Sequence, residues 1–490
     1  MPAAADSDFV QSLEYNHFTN PHYNVDFKGA GELRINAEGT TYTFTGTRRG
    51  SLGSKSGEMK FHAEDIRNVE VNHAIVRFTT GLGKSGRNKV PFVFHLPDER
   101  TAHSIAALLP DHKDETHTEA QDFAARLDEI AGPADGGLSL TKIIIGLNVL
   151  VFVIMGLLGA GWIQTESMLP YILYGANNGA ATTDGEWWRL LTSMFMHFGI
   201  LHLALNMWAL YAAGGFLERI LGPRSFLFTY VGAGLAGGFA SIAWYGDRVW
   251  SAGASGAVFG VFGALLGYVL RQKQAIPRSV YQSMLKSSLS FAGYNILFGL
   301  VRPGIDNAAH LGGLAGGFVF AWILALPLNR EVRARQSGRR LQLGLVALVL
   351  LAATGVATTP RFDYTVSDAM TWNDVNRPFI TQEVELQTEQ QKTLANLGFP
   401  EQATALTQLI ETRLIPFYEE WTRSLAPLRL NPEKQTAQAR DSLTKILAMK
   451  LDNYRQLVAD LRAQDPAAIS HYEAAEAQVV AAITQMQSGR

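Results

Sequence analysis

Between residues 139 and 358 the chain alternates long apolar runs with short polar ones. A bilayer core about 30 Å thick takes roughly 20 apolar residues of helix. Runs of that grade fall at 143–162, 197–217, 225–245, 251–270, 308–327 and 341–358. A shorter run, 287–301, lies where a helix is needed to join its neighbours. The pattern predicts seven spans, and therefore a polytopic α-helical membrane protein.

Either side of this block the period changes. Residues 1–138 alternate in LRINA, YTFTG, VEVNHAIVRFTT and VPFVFHLP, with turn signals such as NAEG and GLGKSGRN between them. Alternation of period two, broken by turn residues, predicts strands. Helical spacing follows in ERTAHSIAALL and EAQDFAARLDEIA. About seven short strands and a closing helix resemble a pleckstrin-homology-like barrel, expected as a cytosolic accessory domain. Residues 360–490 return to helical spacing in EQATALTQLIETRLIPFYEEWTRSL and DSLTKILAMKLDNYRQLVADLRAQ, with breaks expected at Pro432 and Pro466. The expected division is 1–138 (β-rich), 139–330 (six-helix core), 331–359 (basic linker and seventh span) and 360–490 (helical).

Composition adds exclusions. The 490 residues include no cysteine, which rules out disulfides, thiolate metal sites and a cysteine nucleophile. The first 30 residues lack a basic stretch followed by an apolar run, so no cleavable signal or transit peptide is expected. A net charge of −2 points to no nucleic-acid partner. The placement of the basic residues says more. With the N-terminus inside, the inner loops hold Arg219, Arg224, Arg271, Lys273, Arg278, Lys286, Arg330, Arg333, Arg335, Arg339 and Arg340. The outer loops hold only Arg189, Arg248 and Arg302. This bias predicts a cytoplasmic N-terminus and an external C-terminal region.

Polar groups inside a bilayer are costly and therefore mark candidate sites. In that orientation His197, His202 and Asn206 on the second span, Ser255 on the fourth and His310 on the sixth all fall in the outer half of the membrane. His202 and Asn206, four apart, share a helix face. Gly256, Gly260, Gly263 and Gly267 form a small-residue stripe beside Ser255, and Gly313 and Gly317 form one beside His310. Such stripes let helices approach closely in lipid. The expectation is that the fourth and sixth spans pack glycine on glycine and bring Ser255 within reach of His310. A serine beside a histidine is an activated nucleophile with its base. The free N–H groups of the helix start, with His202 and Asn206, would hold an oxyanion. Taken singly, Ser255 reads as an N-cap, His310 as a core histidine and His197 as interfacial or structural. Their common depth favours the catalytic reading.

GASG at 253–256, AHLGGLAGG at 309–317 and HFGILHLALNM at 197–207 resemble motifs of the rhomboid family of intramembrane serine proteases. EWWRLLTSMFMH at 186–197 and FLERILG at 216–222 are similar to its flanking stretches. The resemblance covers about residues 140–330. It implies a Ser255–His310 dyad, with His202 and Asn206 beside the Ser255 N–H as oxyanion stabilisers, and no metal or organic cofactor. Trp188 and Arg189 match the family's tryptophan–arginine pair. Phe259 stands where some members have tyrosine, and Gly253, Gly256, Gly313, Gly317 and His197 are expected to support the site. The implied substrates are transmembrane proteins, cut in or near their spans in the lipid of a bacterial inner (plasma) membrane. The partners of the terminal domains are unknown from the sequence.

The alternative is a rhomboid-like pseudoprotease that binds membrane proteins without cleaving them, although both dyad residues are present. A transporter would expect a polar route through the inner halves of the spans, which are dry. No His-Glu-x-x-His occurs, and Asp247 has no second aspartate within a span. Asp306, one turn before His310, reads either as an N-cap or as a third catalytic member.

Overall fold

The computed structural model describes residues 8–20, 25–50, 53–80, 91–132, 137–395 and 400–488. The expected turn GLGKSGRN, at 81–88, lies outside them. The chain forms two compact units, one of residues 1–134 with 272–285 and one of 135–271 with 286–490.

Among its described residues the first unit carries seven strands: β1 (Phe9–Asn20), β2 (Val25–Ile35), β3 (Thr41–Gly50), β4 (Gly53–His62), β5 (Ile66–Asn72), β6 (Ile75–Thr80) and β7 (Phe92–His95). They make one sheet in the order β4-β3-β2-β1-β7-β6-β5, and the paired neighbours run antiparallel. The turn predicted at NAEG is present, with the Asn36 side chain accepting from the Thr40 and Thr41 N–H groups. Alternation places Phe18, Phe44, Phe78, Phe92 and Phe94 on the buried face. Two helices follow, α1 (Glu99–Leu108) and α2 (Glu115–Ala131). The Asp98 side chain caps α1 by accepting from the Thr101 N–H, and this bond holds the carboxyl below its usual pKa. Ala102 and Ile105 of α1 join the aromatic core.

The second unit is helical. It contains α3 (Leu140–Leu157), the short α4 (Leu169–Tyr174), α5 (Gly179–Thr183) and α6 (Arg189–Thr192), then α7 (Ile200–Leu221), α8 (Pro223–Tyr245) and α9 (Ser255–Arg271). After these come α10 (Arg278–Val301), whose start belongs to the first unit, then α11 (Asn307–Leu324) and α12 (Arg330–Thr358). The final helices are α13 (Val366–Ala395), α14 (Pro400–Leu409), α15 (Ile415–Leu425), α16 (Gln435–Arg462) and α17 (Ala468–Ser488).

Among the described residues five helices, α3, α7, α8, α11 and α12, are long and apolar enough to cross a membrane. The sequence predicted seven spans. The difference lies in α9, an apolar helix of only 17 residues, and in α10, whose first half holds Arg278, Gln282, Lys286 and several serines. Helix ends also shift from the apolar runs. α3 stops at Leu157 because Gly159 and Gly161 adopt positive φ, which lets Trp162 fold back against Phe152. α7 starts only after Gly199, also at positive φ, so His197 lies in the preceding loop. The basic run 330–340 forms the first three turns of α12. Pro432 and Pro466 fall in the connections flanking α16, as expected.

Glu218, near the end of α7, organises the start of α3. Its carboxylate accepts from the Leu140 and Thr141 N–H groups at 2.9 Å and from the Thr141 hydroxyl at 2.8 Å. Those N–H groups have no partner within their own helix, so a buried anion there is stabilised by hydrogen bonds and by the helix dipole. The C-terminal helices gather a separate core around Leu406, Ile410, Tyr418, Trp421, Leu447 and Tyr454.

Candidate active site

The site lies where the first turns of α7, α9 and α11 meet. Glycine makes the meeting possible. A Cβ on Gly313 would overlap the Gly256 carbonyl, and one on Gly317 would overlap the Gly260 carbonyl. Gly263 and Gly267 face the backbone of Leu314 and Phe318 in the same way. On a third side Gly237 of α8 leaves room for the Ala309 carbonyl. The predicted glycine seam between α9 and α11 is therefore present, and α8 shares it.

This seam brings Ser255 and His310 together across 55 residues of sequence, with Ser255 Oγ 3.0 Å from His310 Nε2. The Phe259 ring stacks on the imidazole at 4.1 Å between centroids and 9° between planes. That contact fixes the plane of the ring, so its Nε2 edge faces the hydroxyl. His310 is buried, and its Nδ1 has no hydrogen-bond partner among the described residues.

His202, in the first turn of α7, approaches from the other side. A Cβ on Gly253 would lie 3.0 Å from His202 Nε2 and 3.7 Å from Ser255 Oγ. The missing side chain thus leaves a space bordered by both groups. The Phe198 N–H donates to His202 Nδ1 at 3.3 Å. A neutral imidazole that accepts at Nδ1 carries its proton on Nε2, which aims an N–H donor at that space. Asn206 is buried one turn further along, and its amide donates to the His202 carbonyl at 2.9 Å rather than to Ser255.

His197 is fully buried and has a structural contact, its Nε2 accepting from the Ala254 N–H at 3.4 Å. Arg189 is also buried. It donates to the Ile172 and Ala176 carbonyls and pairs with Glu186, while its guanidinium lies 4.8 Å from the Trp188 ring centroid. The Trp188–Arg189 pair thus organises a loop rather than entering the site.

Ser255 is the first residue of α9, so the preceding residues, 246–254, form a loop and not the start of a span. That loop is held on several sides. Asn177 and Ser251 exchange backbone hydrogen bonds at 2.8 Å, and the Gly253 N–H donates to the Ser193 carbonyl at 2.9 Å. The Asn178 amide donates to the Asp247 and Val249 carbonyls. Asp247 also accepts from Asn431, while Arg429 pairs with Asp184 at 2.9 Å. Phe362 lies against Gly179 and Gly246. Burial and the nearby Asp247 push the Tyr364 phenol up to about 12. The C-terminal helical region therefore grips the loop that leads into Ser255.

Asp306 is the N-cap of α11. Its Oδ1 accepts from the Ala309 N–H at 2.8 Å, while its Oδ2 accepts from the Ser241 and Ser251 hydroxyls at 2.5 and 2.7 Å. Both oxygens are engaged and neither bonds to the His310 ring, so the N-cap reading holds and the third-member reading fails. Ser251 carries no periodic or motif signal that sequence reasoning could use, while Gly237 and Ser241 continue a small-residue spacing of four from Ala233 that the reading passed over. A second hint was Asp306 itself, an acid close to a membrane span that needs partners.

Comparison with known proteins places this arrangement. The sequence model of the Rhomboid domain matches residues 184–327. The chain is 37% identical over 227 residues to rhomboid protease GluP of Bacillus subtilis (strain 168), covering 46% of this chain and 42% of that one, so it spans less than half of GluP. It is 38% identical over 144 residues to RHOMBOID-like protein 6, mitochondrial, of Arabidopsis thaliana, covering 29% of this chain and 45% of that one. With rhomboid protease AarA of Providencia stuartii the identity is 30% over 218 residues, 40% of this chain and 76% of AarA. A glycine-lined helix seam, apolar helices of membrane length and coverage of three quarters of a rhomboid protease together show that this chain belongs to the rhomboid family of membrane proteases.

Proposed function

We propose that the protein is an intramembrane serine endopeptidase that cleaves transmembrane substrates in or near their spans through a Ser255–His310 dyad. The observation that carries this reading is the 3.0 Å contact between Ser255 Oγ and His310 Nε2, with the imidazole stacked on Phe259. The Ser255 oxygen attacks the scissile carbonyl carbon while its proton moves to His310 Nε2. The carbonyl oxygen gains the negative charge and is held by the Ser255 N–H and the His202 Nε2–H, with Asn206 behind them. Donors of this kind are worth about 2.7–4 kcal/mol each in the transition state. His310 then gives its proton to the departing amine, which leaves an acyl group on Ser255. A water, deprotonated by His310, attacks that ester, and collapse of the second tetrahedral intermediate returns the proton to Ser255.

The N-terminal unit fits a PH-like accessory domain, supported by seven antiparallel strands followed by α1. The clustering of basic residues favours seven spans, a cytoplasmic N-terminus in a bacterial inner membrane and an external C-terminal domain.

The test is a tagged fluorophosphonate, which phosphonylates only an activated serine. Wild-type protein should label, and Ser255→Ala and His310→Ala should not. Proteomics of membrane fragments released by wild type but not by Ser255→Ala would then identify substrates. Wild-type protein that is folded yet unlabelled would instead support the non-cleaving alternative.

A further inference from the structure

We propose that Asp306 is a positioning residue that sets the distance between nucleophile and base, acting through Ser251. The inference rests on the dyad reading above. Ser255 and His310 sit on different helices, and nothing covalent within 50 residues links them. Their 3.0 Å separation must therefore be set by packing and by cross-braces. The glycine seam fixes how closely the helices approach. It leaves them free to slide along each other, because a stripe of small residues offers few interlocking side chains.

One carboxylate removes that freedom. Asp306 Oδ1 holds the Ala309 N–H, in the first turn of the helix that carries His310 one residue later. Its Oδ2 holds the Ser251 hydroxyl, in the loop that delivers Ser255 four residues later. The same oxygen holds Ser241 of α8, the helix against which both others pack. All three contacts are donors pointing at the carboxylate. That pattern suits an ionised acceptor and gives short, charge-assisted bonds. Ser241 is buried, and Asp306 and Ser251 are part-buried, so water competes weakly for these bonds. Ser251 is also tied by its backbone to Asn177, so a pull on its hydroxyl moves the whole loop. The brace acts at a distance from the reacting atoms. It transfers no proton, and its effect is on geometry alone.

The informative variant is Ser251→Ala, because it cuts the link to the loop and leaves the α11 cap and the Ser241 bond in place. In full-length protein in detergent, the rate of fluorophosphonate labelling at Ser255 should fall about tenfold. The loss should fall on the inactivation step and not on probe affinity. Ser251→Thr, which restores a hydroxyl, should recover most of the rate. In an Asp306→Ala background, Ser251→Ala should slow labelling no further, since both changes cut one connection. Melting curves recorded in parallel should stay within a few degrees of wild type for Ser251→Ala. The proposal is overturned if folded Ser251→Ala labels at the wild-type rate. It is overturned equally if the two substitutions act additively, or if Ser251→Thr is as slow as Ser251→Ala. Absence of labelling in folded wild type would instead strike at the dyad itself, which keeps the two failures distinct.

Discussion

The seam between α9 and α11 and the core of the N-terminal sheet solve opposite problems. The sheet core is built from rings. Phe18 and Phe94 stack at 4.1 Å, and Phe44, Phe61, Phe78 and Phe92 pack around them with centroids about 5 to 6 Å apart. Large side chains fill volume and can adjust by rotating. The seam has almost no side chains to adjust. Backbone meets backbone at Gly256 and Gly313 and again at Gly260 and Gly317. A ring core is a source of stability, whereas a glycine seam is a ruler. In lipid, where apolar burial between helices gains little, close van der Waals contact is the main attraction left, and small residues maximise it.

The sharpest break of this comparison is Gly313→Ala. Its methyl would overlap the Gly256 carbonyl, so the helices must part, and the Ser255–His310 contact opens with them. Labelling at Ser255 should fall by about a hundredfold or more, the scale on which an ångström of misplacement acts. Gly293→Ala on α10 is the control, because a Cβ there meets nothing within 4 Å. That variant should label like wild type and melt no lower, since alanine in place of a helical glycine is worth roughly 0.5–1 kcal/mol. Equal losses in the two variants would mean that the seam is not the ruler.

A smaller effect is expected where a single ring enters the seam. Among the described residues, Phe259 is the aromatic side chain laid flat on the His310 imidazole. A stacked pair contributes about 0.5–1.5 kcal/mol beyond its buried area, so Phe259→Ala should slow labelling up to about tenfold. Phe259→Tyr keeps the ring face and should label near the wild-type rate. A large loss in the tyrosine variant would show that a hydroxyl cannot be accommodated there, and that the phenylalanine is a specific choice.

These two regions also differ in how much of them the sequence displays. The seam was legible because it is written in residue size. Glycines spaced three and four apart beside Ser255 and His310 implied a close approach, and the approach is present. The strands were legible because burial alternates along them. What stayed hidden were contacts with no period. Ser251 is an ordinary serine until Asp306 is seen to hold it. Helix ends were hidden as well. Apolar runs report only which residues avoid water, so they carried the fourth span back to residue 251, although the helix begins at Ser255. The four loop residues thus overlooked, 251–254, include Ser251, which carries the brace. Two of the seven expected spans, α9 and α10, are helices that fall short of membrane grade by length or hydropathy. α10 is a continuous 24-residue helix, but hydropathy dilutes its apolar second half with the polar first half.

The smallest expected effect on Ser255 comes from the largest cavity. Phe94 touches Tyr15, Phe18, Phe44 and Phe78 and is fully buried. Phe94→Ala should destabilise the N-terminal unit by about 3–5 kcal/mol, the usual cost of emptying an aromatic site. Hydrogen exchange on the full chain should show it as faster exchange of the amides in β6 and β7. The second unit has its own cores, built from other residues, so fluorophosphonate labelling should stay within about twofold of wild type. A ring core yields locally and keeps its loss to itself, in contrast to a seam, where a single methyl is felt at the reacting atoms. If labelling collapsed with the N-terminal exchange protection, the two units would share one folding equilibrium. The β-rich unit would then be a structural requirement of the site, and the contrast between a stabilising core and a measuring seam would have to be abandoned.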